Sequence, residues 1–71
     1  MTRYDCLCDN PDRSKPTAHP VLGIAASSPR AAAREAVRQY RQRSGGNVPI
    51  QVDVFRSDNG ADVGRFERED Y

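Results

Sequence analysis

The chain has 71 residues, a net charge of +1, and hydrophobic side chains at 37% of its positions. A chain this short forms one small domain, residues 1–71, whose limited core leaves little room for the walled pocket that most enzymes need. No segment reaches the about 20 consecutive apolar residues of a membrane span, and the first ten residues lack the apolar region of a signal peptide. We therefore expect a cytoplasmic protein without a membrane partner.

The first predicted element is a strand over residues 2–8. Tyr4, Cys6 and Cys8 alternate with polar residues, which is the period of a half-buried strand. Two cysteines two positions apart in a strand share a face, where a disulfide between them is strained. We expect reduced thiols that act as small buried hydrophobic groups.

A loop and a second strand come next. Residues 9–20 combine three prolines with polar side chains, which predicts an irregular loop. Residues 21–26 are short and apolar between a proline and a serine. This pattern predicts a strand with Leu22 and Ile24 on one face, toward the core.

Residues 28–43 carry the clearest helix signal. Ser28 and Pro29 favour a helix N-terminus, the alanine-rich sequence favours its body, and Gly45 and Gly46 favour its end. At about 100° per residue, the helix has a core face and a neighbouring arc of arginines. The predicted core face consists of Ala33, Ala36, Val37 and Tyr40. The arginine stripe consists of Arg30, Arg34, Arg38 and Arg41.

Charge is unevenly distributed along the chain. Residues 30–43 hold five arginines against Glu35, which gives +4, whereas residues 44–71 hold three arginines against six acids, which gives −3. One interpretation is that the arginine stripe binds a partner. The other is that its arginines pair with acids of the C-terminal strand, such as Glu67 or Glu69.

Two further strands are predicted as a hairpin. Residues 48–56 alternate valine and isoleucine with other residues, which indicates a strand. The segment SDNGADVGRFERE supplies its partner, and a three-residue turn over residues 58–60 keeps core and solvent faces separate. This register places Val52 opposite Phe66, Asp53 opposite Arg65, and Phe55 opposite Val63.

The same register predicts an apolar pair on the outer face of the sheet. Phe55 and Val63 would lie together on the side away from the helix, beside the pair of Asp53 and Arg65. An exposed aromatic next to an aliphatic, rimmed by charge, is typical of a protein contact. The alternatives are a tolerated surface pair, or a pair that residues 9–20 cover.

The element order β-β-α-β-β predicts the α+β class, with a small antiparallel sheet and one α-helix packed on one face. Only twelve Leu, Ile, Val and Phe residues are present, so a bound partner or a homodimer would add stabilising contacts. The predicted core consists of Tyr4, Cys6, Leu22, Ile24, Val37, Tyr40, Ile50, Val52, Val54 and Phe66.

Candidate metal-binding and catalytic residues are few. Cys6, Cys8 and His19 supply three ligands where structural zinc takes about four, and Cys-x-Cys does not match the usual paired spacing. Nucleophilic catalysis would need His19 to activate a cysteine across the proline-rich loop, with no evident oxyanion hole. We expect no metal, no cofactor and no enzyme activity.

Two resemblances bear on function. The segment GIAASSPRAAAREAV resembles the last strand-to-helix junction of double-stranded-RNA-binding domains, whose helix opens with basic residues. That resemblance implies nucleic-acid binding through the arginine stripe. In size and layout, the whole chain resembles small proteins of phages and mobile elements, including some anti-CRISPR inhibitors.

The second resemblance implies a small non-enzymatic protein-binding module, such as an inhibitor of a host protein. We therefore expect a protein partner, with nucleic-acid binding as the alternative. A homodimer through the Phe55 face or an edge strand is a third hypothesis. The predicted partner-binding residues are Arg30, Arg34, Arg38, Arg41, Phe55 and Val63.

Overall fold

A computed structural model describes residues 1–9 and 18–71, which form a four-stranded antiparallel sheet with one long helix. The strand order is β2-β1-β3-β4, and every neighbouring pair is antiparallel. The predicted α+β fold is therefore confirmed. The elements are β1 (Thr2–Asp9), β2 (Ala18–Ala26), α1 (Pro29–Arg43), β3 (Gln51–Arg56), β4 (Asp62–Glu67) and a 3-10 turn (Arg68–Asp70).

Helix α1 begins and ends where its capping residues predict. Ser28 Oγ accepts a hydrogen bond from the Ala31 N–H at 3.1 Å, an N-cap that contributes about 1 kcal/mol. Beyond the other end, Gly45 and Gly46 have φ angles of 74° and 105°. The Gly46 N–H donates to the Arg41 carbonyl at 2.8 Å, which closes the helix in a conformation that favours glycine.

The core lies between α1 and one face of the sheet. Ala32, Ala33 and Ala36 are at most 1% exposed, so the helix backbone lies close to the strands. Val52 and Val54 are fully buried beneath the helix, and burial of each contributes about 1.5–3 kcal/mol. The remaining buried core consists of Tyr4, Cys6, Cys8, Val21, Ile24, Ala26, Val37 and Tyr40.

Strand β2 differs from its prediction in length and in the side chains that it buries. It begins at Ala18, inside the predicted loop, while residues 10–17 of that loop lie outside the described residues. Leu22 is 70% exposed, whereas Val21 and Ile24 are buried. The placement of Leu22 in the core was wrong because a bulge inserts one extra residue into β2.

The bulge in β2 is built around Gly23 and Asp5. Gly23 has a φ of 70°, and its N–H donates to Asp5 Oδ1 at 2.9 Å. The Ser57 hydroxyl donates to the same oxygen at 2.7 Å. Hydrogen bonds from Ser57 and Gly23 lower the pKa of the Asp5 carboxyl group. Asp5 therefore ties β2 to the β3–β4 turn across β1.

Replacing Asp5 with alanine should lower the free energy of unfolding by about 1–3 kcal/mol at pH 7, because two hydrogen bonds to a charged group are lost. The pKa of Asp5 is lower in the folded state than in the unfolded chain. Its contribution is therefore complete above the unfolded value of about 4 and is lost as the pH falls below it. Urea unfolding at pH 7 and at pH 2.5 measures both effects.

Glu69→Ala is the matched control for Asp5→Ala. Glu69 is exposed and accepts no side-chain hydrogen bond from the residues that the structure describes, so its loss should change the free energy of unfolding by less than about 0.5 kcal/mol. A deficit of Asp5→Ala that is equal at both pH values would contradict a contribution from the carboxylate charge.

Strand β3 begins at Gln51, later than the predicted residue 48. Pro49 is fully buried and has no N–H to donate to a strand ladder. The predicted alternation therefore breaks before Gln51. Ile50, which was predicted for the core, is only half-buried.

The β3–β4 hairpin keeps most of the predicted register, since Val52 pairs with Phe66 and Asp53 pairs with Arg65. Phe55 pairs with Asp62 instead of Val63, so that part of the prediction was wrong. The turn holds one residue more than predicted, and a bulge at Val63 restores the register beyond it. Val63 is half-buried and packs against the core, so the predicted apolar pair of Phe55 and Val63 on the outer face was wrong.

Candidate binding surface on the helix

The arginine stripe lies along the solvent-exposed side of α1, and all four of its side chains are exposed. A rise of 1.5 Å per residue places Arg30 and Arg41 about 16 Å apart along the helix axis. The stripe is therefore a continuous cationic ridge, as the helical spacing predicts. Its role in binding a partner stays a prediction.

Two arginines of the stripe have partners within the molecule. Arg38 donates from Nε to Glu35 Oε2 at 2.9 Å, and from Nη2 to Glu35 Oε1. Gln39 also donates to Glu35, and hydrogen bonds from Arg38 and Gln39 lower the pKa of that carboxyl group to about 2. Arg30 donates to the main-chain carbonyl of Asp70 at 3.3 and 3.4 Å.

The side chains of the other two arginines, Arg34 and Arg41, form neither an ion pair nor a hydrogen bond with residues 1–9 or 18–71. Glu67 and Glu69 also form no ion pair with the stripe within these ranges. The hypothesis that acids of the C-terminal strand neutralise the stripe was therefore wrong for the described residues.

An open groove of about 480 Å³ lies beside the two unpaired arginines. Val37 and Tyr71 line it together with arginine side chains, and its surface is largely apolar. This combination suits an anionic group that is attached to an apolar body. We name it the arginine groove, and its lining residues are Arg34, Val37, Arg38, Arg41, Gln42 and Tyr71.

Tyr71 forms part of the groove, although no pattern in the sequence predicts it there. Its hydroxyl donates to the Pro49 carbonyl at 2.7 Å, and its side chain packs against the buried core. Burial raises the pKa of this hydroxyl to about 12. Tyr71 therefore stays protonated near neutral pH and is held in place as part of the groove lining.

The candidate catalytic and metal-binding residues lie on the buried side of the sheet. Cys8 lies opposite His19 in the β1–β2 register, so the fold brings these two together. Burial, however, raises the pKa of the Cys6 and Cys8 thiols to about 12 and about 11, which opposes thiolate chemistry at neutral pH. Across the described part of the chain, no cluster of His, Cys, Asp or Glu could hold a metal ion.

His19 is engaged at the C-terminal end of the helix. Its ring packs edge-on against Tyr40, with the ring centroids 5.9 Å apart. Arg43 donates to His19 Nε2 at 2.9 Å. These contacts fasten the start of β2 to the end of α1, so His19 has a structural role here.

The two edge strands of the sheet are the surfaces through which the predicted edge-to-edge homodimer would form. Edge strand β2 contains Pro20 and the bulge at Gly23, and edge strand β4 contains the bulge at Val63. Proline and bulges interrupt the row of free hydrogen-bonding groups that another strand would need. These features disfavour a dimer through either edge, while a dimer through the Phe55 face stays a prediction.

Comparison with protein-family models, curated proteins and solved structures gives no match. Among the described residues, no helix is both long enough and apolar enough to cross a membrane.

Proposed function

We propose that the chain is a small non-enzymatic protein-binding module that contacts its partner through the arginine groove. The observation that supports the proposal is the juxtaposition of unpaired cations with a largely apolar groove surface. The side chains of Arg34 and Arg41 have no partner in residues 1–9 and 18–71, and they line the groove with Val37 and Tyr71. Such a surface buries apolar area and also offers charge-assisted hydrogen bonds, as protein contacts do.

The partner that we infer is a protein with an acidic segment. Each unpaired guanidinium can donate two parallel hydrogen bonds to a carboxylate, and an apolar neighbour of that carboxylate would pack on Tyr71. The groove volume lies within the range of about 300–1,000 Å³ that is typical of ligand clefts. Such a module acts by occupying its partner's surface, and we propose that this occupancy inhibits the partner.

Duplex nucleic acid is the competing partner, because four exposed arginines lie in a row on α1. Duplex binding depends on many phosphate contacts, about 6–10 in proteins whose affinity falls steeply with salt. Arg38 is held by Glu35, and Arg30 by a carbonyl group. This leaves two unpaired cations of the stripe, as far as the described residues show, which favours a small anionic surface over a duplex.

Site-specific photocrosslinking in the organism that encodes the chain tests the proposal. A photoreactive amino acid at Gln42, in the groove lining, should form a discrete protein adduct. The same amino acid at Asn59, in the β3–β4 turn, should not. Arg41→Glu should abolish the Gln42 adduct, whereas Arg3→Glu should preserve it, since Arg3 is an exposed arginine on β1 outside the groove.

Three results would overturn the proposal. The first is a nucleic-acid adduct at Gln42 in place of a protein adduct. The second is a protein adduct that forms at full yield in Arg41→Glu. The third is the absence of any adduct at Gln42 when the labelled protein is folded and expressed.

A further inference from the structure

We propose that Glu35 makes the arginine stripe selective for a narrow acidic protein segment over duplex nucleic acid. The inference rests on the proposed function, since it concerns how the same four arginines distinguish two anionic partners. Glu35 is the only acid in α1. Its carboxylate receives two hydrogen bonds from Arg38 in the middle of the stripe.

Glu35 lies beside the arginine groove and is not part of its lining. At about 100° per residue, Glu35 lies about 60° to one side of Arg38, and Arg41 lies about 60° to the other. Glu35 lines an open cleft of about 390 Å³ near the start of α1 that shares Arg34 and Arg38 with the arginine groove, but Glu35 does not line the groove itself. A narrow segment in the groove therefore reaches Arg41, which does not line that cleft, on the side of Arg38 away from the Glu35 carboxylate.

A duplex would contact the whole arginine stripe, and not the arginine groove alone. To contact all four arginines it must lie along the ridge for about 16 Å, and it carries one backbone charge for about every 1.7 Å of its axis. Its phosphates then face the carboxylate of Glu35, which repels them. To use Arg38, the duplex must also displace that carboxylate from the guanidinium group.

The ion pair between Glu35 and Arg38 is exposed to solvent and lies within one helix, so a substitution at Glu35 can test it. The side chains of Arg38 and Glu35 are 58% and 37% exposed, so their ion pair stabilises the fold only weakly. Hydrogen bonds keep the pKa of Glu35 at about 2, so the carboxylate stays charged near neutral pH. Glu35→Gln therefore removes the charge from a helix that still folds.

The test compares Glu35→Gln with Glu69→Gln in mobility-shift titrations with a 20-base-pair DNA duplex. Both changes raise the net charge by one, and only Glu35 holds an arginine of the stripe. At 50 mM salt, Glu35→Gln should bind the duplex about three- to tenfold more tightly than the wild type. The slope of log affinity against log salt should steepen by about one, because one more arginine reaches a phosphate.

Two controls distinguish the role of Glu35 in partner selectivity from the proposed protein binding by the arginine groove. Circular dichroism should show the same helix content for both variants, and Glu69→Gln should change duplex affinity by less than about twofold. Equal gains in duplex affinity for the two variants would overturn the role of Glu35 and leave the groove proposal intact. Tight duplex binding by the wild type, without a protein adduct at Gln42, would overturn the proposed function instead.

Discussion

Ala36→Leu should lower the midpoint of thermal unfolding by about 10–20 °C, which corresponds to about 2–3 kcal/mol in a domain of this size. Ala36 is fully buried where α1 packs on the sheet. The helix packs closely on the sheet at the neighbouring turn, where the Cys6 thiol lies 3.8 Å from the Ala32 carbonyl oxygen. A leucine side chain must therefore push the helix away from β1 and β3. Circular dichroism at 222 nm during heating measures the shift.

Gln42→Leu is the matched control for this prediction, because it places the same side chain on an exposed position of the same helix. Its melting temperature should lie within about 3 °C of the wild type. Equal losses in the two variants would show that leucine at Ala36 is accommodated without separating the helix from the sheet. That outcome would contradict the close packing described above.

Arg34→Glu combined with Arg41→Glu should weaken binding to the crosslinked partner protein at least about hundredfold. Each change removes a charge-assisted hydrogen bond and places a like charge next to the partner's acidic segment, a loss of about 1.5–3 kcal/mol per site. Isothermal titration with the purified partner measures the dissociation constant. Circular dichroism should show an unchanged fold, since both arginines are exposed.

The control for the double variant is Arg3→Glu combined with Arg56→Glu. It changes the net charge by the same four units at two arginines that do not line the groove. We expect less than a fivefold loss of affinity, because screening weakens charge effects beyond about 10 Å. Equal losses in the two double variants would show that overall charge, and not the groove, determines binding.

The elements that were predicted from the sequence are those with a local signal. The ends of α1 follow from Ser28, Gly45 and Gly46, whose side chain or backbone freedom acts within one helical turn. The strand pairing of Asp53 with Arg65 follows from alternation, and it holds because the bulge at Val63 compensates for a turn that is one residue longer than predicted. In each case the deciding residues are close together in the chain.

Neither bulge was predicted, and a distant residue stabilises the one at Gly23. The bulge at Gly23 depends on Asp5 in the neighbouring strand, which the Ser57 hydroxyl also contacts. A bulge changes which side chains face the core after it. The exposure of Leu22 and the burial of Val21 therefore could not be read from alternation along β2 alone.

The candidate site was predicted only in outline. The arginine stripe follows from helical spacing, whereas Tyr71 reaches the groove through a hydrogen bond to Pro49 that no periodicity encodes. The partner of Arg38 was available from the sequence, since Glu35 lies three residues earlier on the same helix, a spacing that brings side chains together. The sequence does not show which arginines remain unpaired, because that depends on where the C-terminal residues pack.

A chemical-shift map of the ¹⁵N-labelled chain with its partner tests the arginine groove most directly. We predict the largest backbone amide shifts at Arg34, Val37, Arg41 and Tyr71, with the outer face of the sheet unchanged. Largest shifts at Asp53 and Phe55, with the amides of α1 unmoved, would contradict the groove as the contact surface.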